Sequence, residues 1–522
     1  MTDKNMKKCY YFLRKLQYAI LTLFICLGSY QKANAQLYGG FPYHQSFTSG
    51  TKPSEVVLPT GSGANSAKFT PTGLELTPAE NYKFGAVVIG NKMFNSAVGI
   101  KISFNYAIYD GTGADGISVF LFDAAANPLS SGSYGGQLGY SFRRTNNNFQ
   151  DTRKEGLSGA YLGIALDIYG NFKNMIFNPD ERINGIQMPG ILWKDQAKSH
   201  VTLRGARGPY IDAEGRGDGY TGYPVLTTMG TLETLKSKGV VAGATLNSSG
   251  SYDLLGSFAG DRFDLRSGSY TTDMQNPSYR KAFIELMPNS LGGYNVTVKI
   301  QHQNVVSTII DKYWYRTSIT YSENANPAVT DFNTLANRGP DSKHTIDALI
   351  PENFRIGFAA STGGLNDIHK IWNLDIMLPY AAEANYDSGE ICKNATLILN
   401  PLDNDLAYAG PTTGSPIGAS ENIDRTQFRF LNSDGSAVPN PYEVKDSQGT
   451  FSYNPDTGSV TFSPLDSFSG RASIKYSIKG KSYPSGTFQP YGDEAFRSAP
   501  GEIAVNVRRC RVISNPALPL KL

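Results

Sequence analysis

The chain has 522 residues, more than a single hydrophobic core usually serves, so two or three domains are expected. Its 54 glycines, 28 prolines, 31 tyrosines and 27 phenylalanines, with amphipathic helical windows scarce, exclude a helix-rich architecture and point to an all-β chain rich in turns. A formal net charge of only +3 offers no broad phosphate-binding field, so nucleic acid is not an expected partner.

Residues 1–35 read as a secretory signal peptide: Lys7, Lys8, Arg14 and Lys15 precede the apolar run YAILTLFICLGSY, and Ala33-Asn34-Ala35 supplies an A-x-A cleavage site before Gln36. The run is short for a transmembrane anchor. Phe24 and Ile25 stand where lipoprotein processing at Cys26 would need small residues. Cleavage would remove six of 48 basic and one of 45 acidic residues, leaving 42 against 44. It would also leave Cys392 and Cys510 as the remaining cysteines, which points to one disulfide in an exported chain and to no Cys/His metal cluster. The expected localisation is secreted, extracellular or cell-surface, with no integral membrane span after cleavage and no C-terminal anchor pattern.

The next informative stretch runs from VGIKISFNYAIY through GTGADG (111–116) to ISVFLF. The glycines match the G-x-G-x-x-G spacing of a dinucleotide fingerprint, which works only between a strand and a helix. Upstream, Ile100, Ile102, Phe104, Tyr106 and Ile108 alternate with Lys101, Ser103 and Asn105, the period of a strand with one buried face. Downstream, β-branched and aromatic residues make a second strand, so the nucleotide reading fails. What remains is a Gly/Asp loop between two strands with Asp115 at its rim.

Further strands are expected at YNVTVKIQ and FRIGFAAS, while LETLKSKG (232–239) is the one window with helical character. A composition break near MLPYAAEANYDSGE separates a domain spanning 36–380 from a module spanning 381–522. In that module Val460 and Phe462, then Ala472, Ile474, Tyr476 and Ile478, alternate in short strands typical of a β-sandwich. A pairing of Cys392 with Cys510 would join its first and last strands.

Four segments of the 36–380 domain, in order, resemble the legume-type (L-type) lectin family, including its bacterial secreted members: ADGISVFLF (114–122), SYGGQLGY (133–140), YLGIALDIYGNF (161–172) and FRIGFAASTGG (354–364) followed by NDIHKIWNLDI. LNPLDNDLAYAG with TGSVTFSPLDSFSGRASIKYSI resembles the cadherin-like and Ig-like modules of bacterial surface adhesins. The resemblance implies a concanavalin A-like jelly-roll sandwich followed by a smaller Ig-like/cadherin-like β-sandwich. Function does not follow from that fold, which glycosidases share.

A saccharide needs an acceptor carboxylate, amide donors and an aromatic platform, and the resemblance assigns these roles. Asp115 would accept from two sugar hydroxyls, the backbone of Gly135 or Gly136 would donate, Asn171 would donate its amide, Tyr169 would stack, and Gly364 and Leu365 would complete the site. The peptide between Ala114 and Asp115 is expected to be cis. Calcium is the implied cofactor, held by Asp167, the Tyr169 carbonyl, Asn171 and Asp180, with Glu181 the neighbouring alternative; these are hard oxygen donors suited to that ion. Ala165 replaces the glutamate that holds a transition metal in plant members, so no second metal is expected and His200 reads as structural. Asp403 and Asp405 read as turn-capping residues, with calcium as the alternative. The partners implied are glycans or polysaccharides, bound without catalysis. The alternative is a glycoside hydrolase, which needs two carboxylates flanking the scissile bond; the E-x-D-x-x-E strand motif of related glucanases does not occur. RGD at 216–218 reads as a chance tripeptide.

Overall fold

The computed structural model describes residues 40–510, apart from 61–62, 144–153, 174–197, 209–218, 220, 233–259, 324–341, 410–416 and 483–490. The expected signal peptide, Asp180 with Glu181, the RGD tripeptide and all but the first residue of LETLKSKG lie outside the described residues. Among the described residues the regular elements are strands and short 3-10 turns, and no helix is long and apolar enough to cross a membrane.

The alternating stretch becomes strand Ile100–Tyr109, with Ile100, Ile102 and Phe104 buried and Lys101 and Ser103 half-exposed. It lies in the middle of a sheet whose spatial order is Val305–Tyr315, Tyr294–His302, Arg280–Pro288, Ile100–Tyr109, Ile368–Met377, Gly73–Thr77 and Lys68–Thr70. The facing sheet runs Val225–Gly230, His200–Arg204, Ala160–Asp167, Gly116–Asp123, Asn353–Ser361, Phe84–Ile89 and Val56–Val57. All pairings within both sheets are antiparallel. Ile102, Phe104, Ile117, Val119, Ile164, Phe358 and Leu374 belong to the shared core between them.

ISVFLF lacks alternation because both faces of its strand are covered. The inner face meets that core, and the outer face carries Phe120 and Phe122 into a second cluster with Tyr140, Phe142, Leu157, Phe172 and Tyr223. A continuous apolar run is what a doubly covered strand requires.

Three of the connections that cross from one sheet to the other, as a jelly roll demands, are residues 78–83, 110–115 and 362–367. Register places them at one end. Gly116 pairs with both Asp167 and Ser361, Ser361 pairs with Phe84, and on the opposite sheet Ile368 pairs with Tyr109 and His369 with Thr77.

The later strands form a smaller β-sandwich. One sheet is Tyr386–Cys392, Gly501–Arg508, Gly470–Ser477 and Arg429–Leu431, its first pair parallel; the other is Leu397–Leu399, Ser459–Pro464, Gly449–Asn454 and Glu443–Lys445. Phe430, Phe451, Val460, Phe462, Ile474, Tyr476 and Val505 fill the space between them. Cys392 and Cys510 are bonded, tying that parallel pair across a separation of 118 residues. The two sandwiches touch: Tyr491 donates to Asn95 Oδ1 at 2.8 Å and packs edge-on to Phe41, while Lys101 pairs with Glu383 at 3.0 Å.

Candidate functional site

The crossover end gathers the residues singled out from sequence. Asp115 closes the 110–115 connection. Its N–H donates to the Ser361 carbonyl at 2.8 Å, and its carbonyl accepts from the Tyr169 N–H at 3.2 Å. The peptide between Ala114 and Asp115 is cis. The Asp115 side chain is 4% exposed, and Oδ2 has no hydrogen-bond partner among the described residues. Burial pushes its carboxyl up to about 7; the nearby Asp167 charge adds to the rise and the Arg143 guanidinium opposes it.

Asp167 ends its strand fully buried, with Oδ1 accepting from the Gly170 N–H at 2.7 Å and Oδ2 from the Lys173 N–H at 3.2 Å. Burial raises its pKa, countered by the Lys173 ammonium and by the backbone amides. The Asx-type bonding bends 167–173 into a tight loop, whose exit is fixed by Arg204. That guanidinium is wholly buried and donates to the carbonyls of Phe172 at 2.8 Å and Tyr223 at 2.7 Å.

Gly136 lies against Asn171: a Cβ added there would come within 2.5 Å of the Asn171 Cβ and 3.4 Å of its Nδ2. Glycine is what permits the contact. The neighbouring Gly135 N–H donates to Ser361 Oγ at 3.0 Å, so Gly136 becomes the preferred amide of the two expected as sugar donors. Tyr169 is half-buried. In the 362–367 connection the Gly363 N–H donates to the Leu365 carbonyl at 2.9 Å, and a Cβ on Gly364 would meet nothing within 4 Å. Among the described residues, Gly364 therefore borders open space.

His200 is 1% exposed, sits opposite Asp167 in register and contacts Thr228 Oγ1 through Nδ1 at 3.2 Å. Ala165, beside Thr202 and Ser118, adds no ligand. Among the described residues no group of three or more His, Cys, Asp or Glu side chains could hold a metal. The available donors are thus the two buried carboxylates with Asn171 and main-chain oxygens. This is a hard-oxygen set that suits calcium in kind.

Several participants carry no sequence signature. Arg143 packs over the Tyr134 ring at 4.5 Å, and a Cβ on Gly135 would lie 3.7 Å from its Nη1. Lys173 is 5% exposed, and its ammonium donates to the Gly170 carbonyl at 3.3 Å. Arg266 grips Asp367 through Nε and Nη2 at 2.8 to 3.1 Å and donates to the Gly111 carbonyl at 2.7 Å, while Asp367 Oδ1 accepts the Gly111 N–H at 2.9 Å. Both polar groups of Gly111 are thereby fixed behind Asp115. Arg143, Lys173 and Arg266 lie outside the motifs, and Asp367, inside NDIHKIWNLDI, is assigned no role there; charged residues in loops give no periodic pattern to read.

No family model and no curated protein matches the chain. Among solved structures it is similar to the exoplasmic/lumenal domain of VIP36 in a calcium- and mannose-bound form, at 14% identity over 64% of this chain and 87% of that one, with a TM-score of 0.32. The metal-free carbohydrate recognition domain of Emp46p is similar at 11% identity, over 64% and 95% of the two chains, TM-score 0.29. That of Emp47p is similar at 11%, over 64% and 94%, TM-score 0.28.

Proposed function

We propose that residues 36–380 form a calcium-dependent, non-catalytic carbohydrate-binding domain, secreted or held at a cell surface, with the 381–522 sandwich as its stalk. The observation that carries this reading is the Asp115 carboxylate: buried, lacking a hydrogen-bond donor at Oδ2 among the described residues, and placed where three crossovers meet, with Gly364 of one of them bordering open space. A buried carboxylate oxygen without a donor is costly. Paired hydroxyls of a sugar ring supply the missing donors, and Gly136 and Asn171 lie against one another beside the site. Catalysis is disfavoured because Asp167, the other carboxylate, is enclosed and already accepts backbone amides through both oxygens.

Asp167, the Tyr169 carbonyl and Asn171 would hold calcium, with Asp180 as the further ligand expected from the sequence. Bound calcium supplies positive charge that keeps both carboxylates ionised. The Lys173 ammonium beside Asp167 favours a second reading, in which the protein's own cation serves that role without metal. A glycan array probed with the full chain separates them. Asp115→Ala abolishes binding under either reading while thermal stability stays within a few degrees. Chelation abolishes it only if calcium is required. Binding that survives Asp115→Ala sinks the site.

A further inference from the structure

We infer that Tyr82 is a ligand-contacting residue of this site, its ring forming a wall for a second sugar unit, so that the preferred ligand is an oligosaccharide of hexopyranoses. This inference rests on the carbohydrate reading above.

Tyr82 is 82% exposed, and no other Phe, Tyr or Trp among the described residues is as open. It occupies the 78–83 crossover at a φ of 57°, a backbone conformation that a bulky residue adopts rarely. Such a residue at the tip of a loose loop would need no explanation. This loop, however, is fastened to the 362–367 crossover on both sides of Tyr82. The Tyr82 N–H donates to the Gly363 carbonyl at 3.1 Å, the Thr362 N–H to the Lys83 carbonyl at 2.8 Å, and the Lys83 N–H to Thr362 Oγ1 at 2.8 Å. The Thr362 hydroxyl donates to the Glu80 carbonyl at 2.6 Å, and Asn366 Nδ2 donates to Asn81 Oδ1 at 2.5 Å.

Gly363, which accepts from Tyr82, is also the residue that borders the acceptor carboxylate: a Cβ built on it would lie 3.9 Å from Asp115 Oδ1. An open aromatic ring thus stands on a backbone held one residue away from the binding carboxylate. A tyrosine presented in this way offers a large, amphipathic contact at low cost in side-chain entropy, the property that makes this residue common in binding loops. Stacking suits the apolar face of a pyranose. Because Asp115 and Asn171 serve the first ring, the rim position of Tyr82 falls to the next one along the chain.

Isothermal titration of the full chain with methyl mannoside, methyl galactoside and methyl glucoside, and with mannobiose, lactose and cellobiose, tests this. For whichever sugar binds, Tyr82→Ala weakens the disaccharide about tenfold and changes the methyl glycoside less than twofold, while Tyr82→Phe keeps both affinities. Asp115→Ala abolishes both. If Asp115→Ala abolishes binding but Tyr82→Ala leaves the disaccharide unaffected, or weakens both sugars equally, the second-unit wall is overturned and the carbohydrate site stands. If Asp115→Ala leaves binding intact, or no sugar binds the unaltered chain at millimolar concentration, the site and the wall fall together.

Discussion

Asp405 shows how far a residue's environment can depart from its sequence reading. It stands in LNPLDNDLAYAG beside Asp403, where turn capping and calcium binding were the alternatives. Asp403 is exposed at the end of a 3-10 turn, but Asp405 is 2% exposed and accepts the Asn385 N–H at 2.6 Å. The Tyr476 hydroxyl lies 2.9 Å from Asp405 Oδ2 and 3.0 Å from Asp387 Oδ2. One hydroxyl proton cannot serve both carboxylates at once. Burial first pushes Asp405 up to about 7 and Asp387 to about 6, with the Asp387 charge adding to the rise at Asp405 and the Asp403 charge adding to that at Asp387. The folded state therefore favours the protonated forms. Their contribution to stability is complete below about pH 4 and is lost as pH rises through about 7. Asp405→Asn should match the unaltered chain near pH 4 and exceed it at pH 8, by roughly 1–3 kcal/mol in the unfolding of the second sandwich. Equal stabilities across that range, followed by calorimetry, would contradict this account. At this scale the sequence made Asp115, Asp167 and Asn171 legible because they sit inside spaced motifs. Arg143, Lys173 and Tyr82 were not legible, since each acts through contacts that only folding creates.

At the scale of elements, the site is a meeting of turns. The 3-10 turn Gly135–Gln137 lies against the loop after Asp167, and the 2.5 Å approach at Gly136 leaves no room for a side chain. Gly136→Ala must displace Asn171 or the turn. Overpacking of this kind costs about 1–3 kcal/mol, and surface plasmon resonance on an immobilised glycan should show at least a tenfold loss of affinity. Unchanged affinity would remove Asn171 and this turn from the site. The alternation of Ile100–Tyr109 and the unbroken apolar run of Gly116–Asp123 made both strands readable, and Tyr294–His302 and Asn353–Ser361 follow the expected segments. The 78–83 connection was not read as part of the site because nothing in ENYK marks it; its role comes from bonds to Thr362 and Gly363, about 280 residues later.

In the whole molecule the site and the second sandwich occupy opposite ends of one strand. Asn353–Ser361 finishes at the crossovers, and its first residue pairs with Asn95, the acceptor of the Tyr491 hydroxyl. Nine residues of strand span roughly 30 Å, which separates the crossovers from the contact with the second sandwich. Tyr491 also packs with Phe41 and belongs to the first sandwich's core, which couples the two bodies. Tyr491→Ala should split a shared thermal transition into two while leaving glycan binding within twofold; a large loss of binding would mean that the stalk reaches the site. That coupling, between residues 396 apart in sequence, was beyond local pattern, whereas the disulfide within the second sandwich followed from the cysteine count. The central claim is that the Asp115 carboxylate receives a sugar. Its most direct test is a glycan array comparing the unaltered chain with Asp115→Ala in calcium-containing buffer: the account predicts a defined set of bound glycans that the variant loses entirely, and a variant that binds the same glycans as the unaltered chain would contradict it.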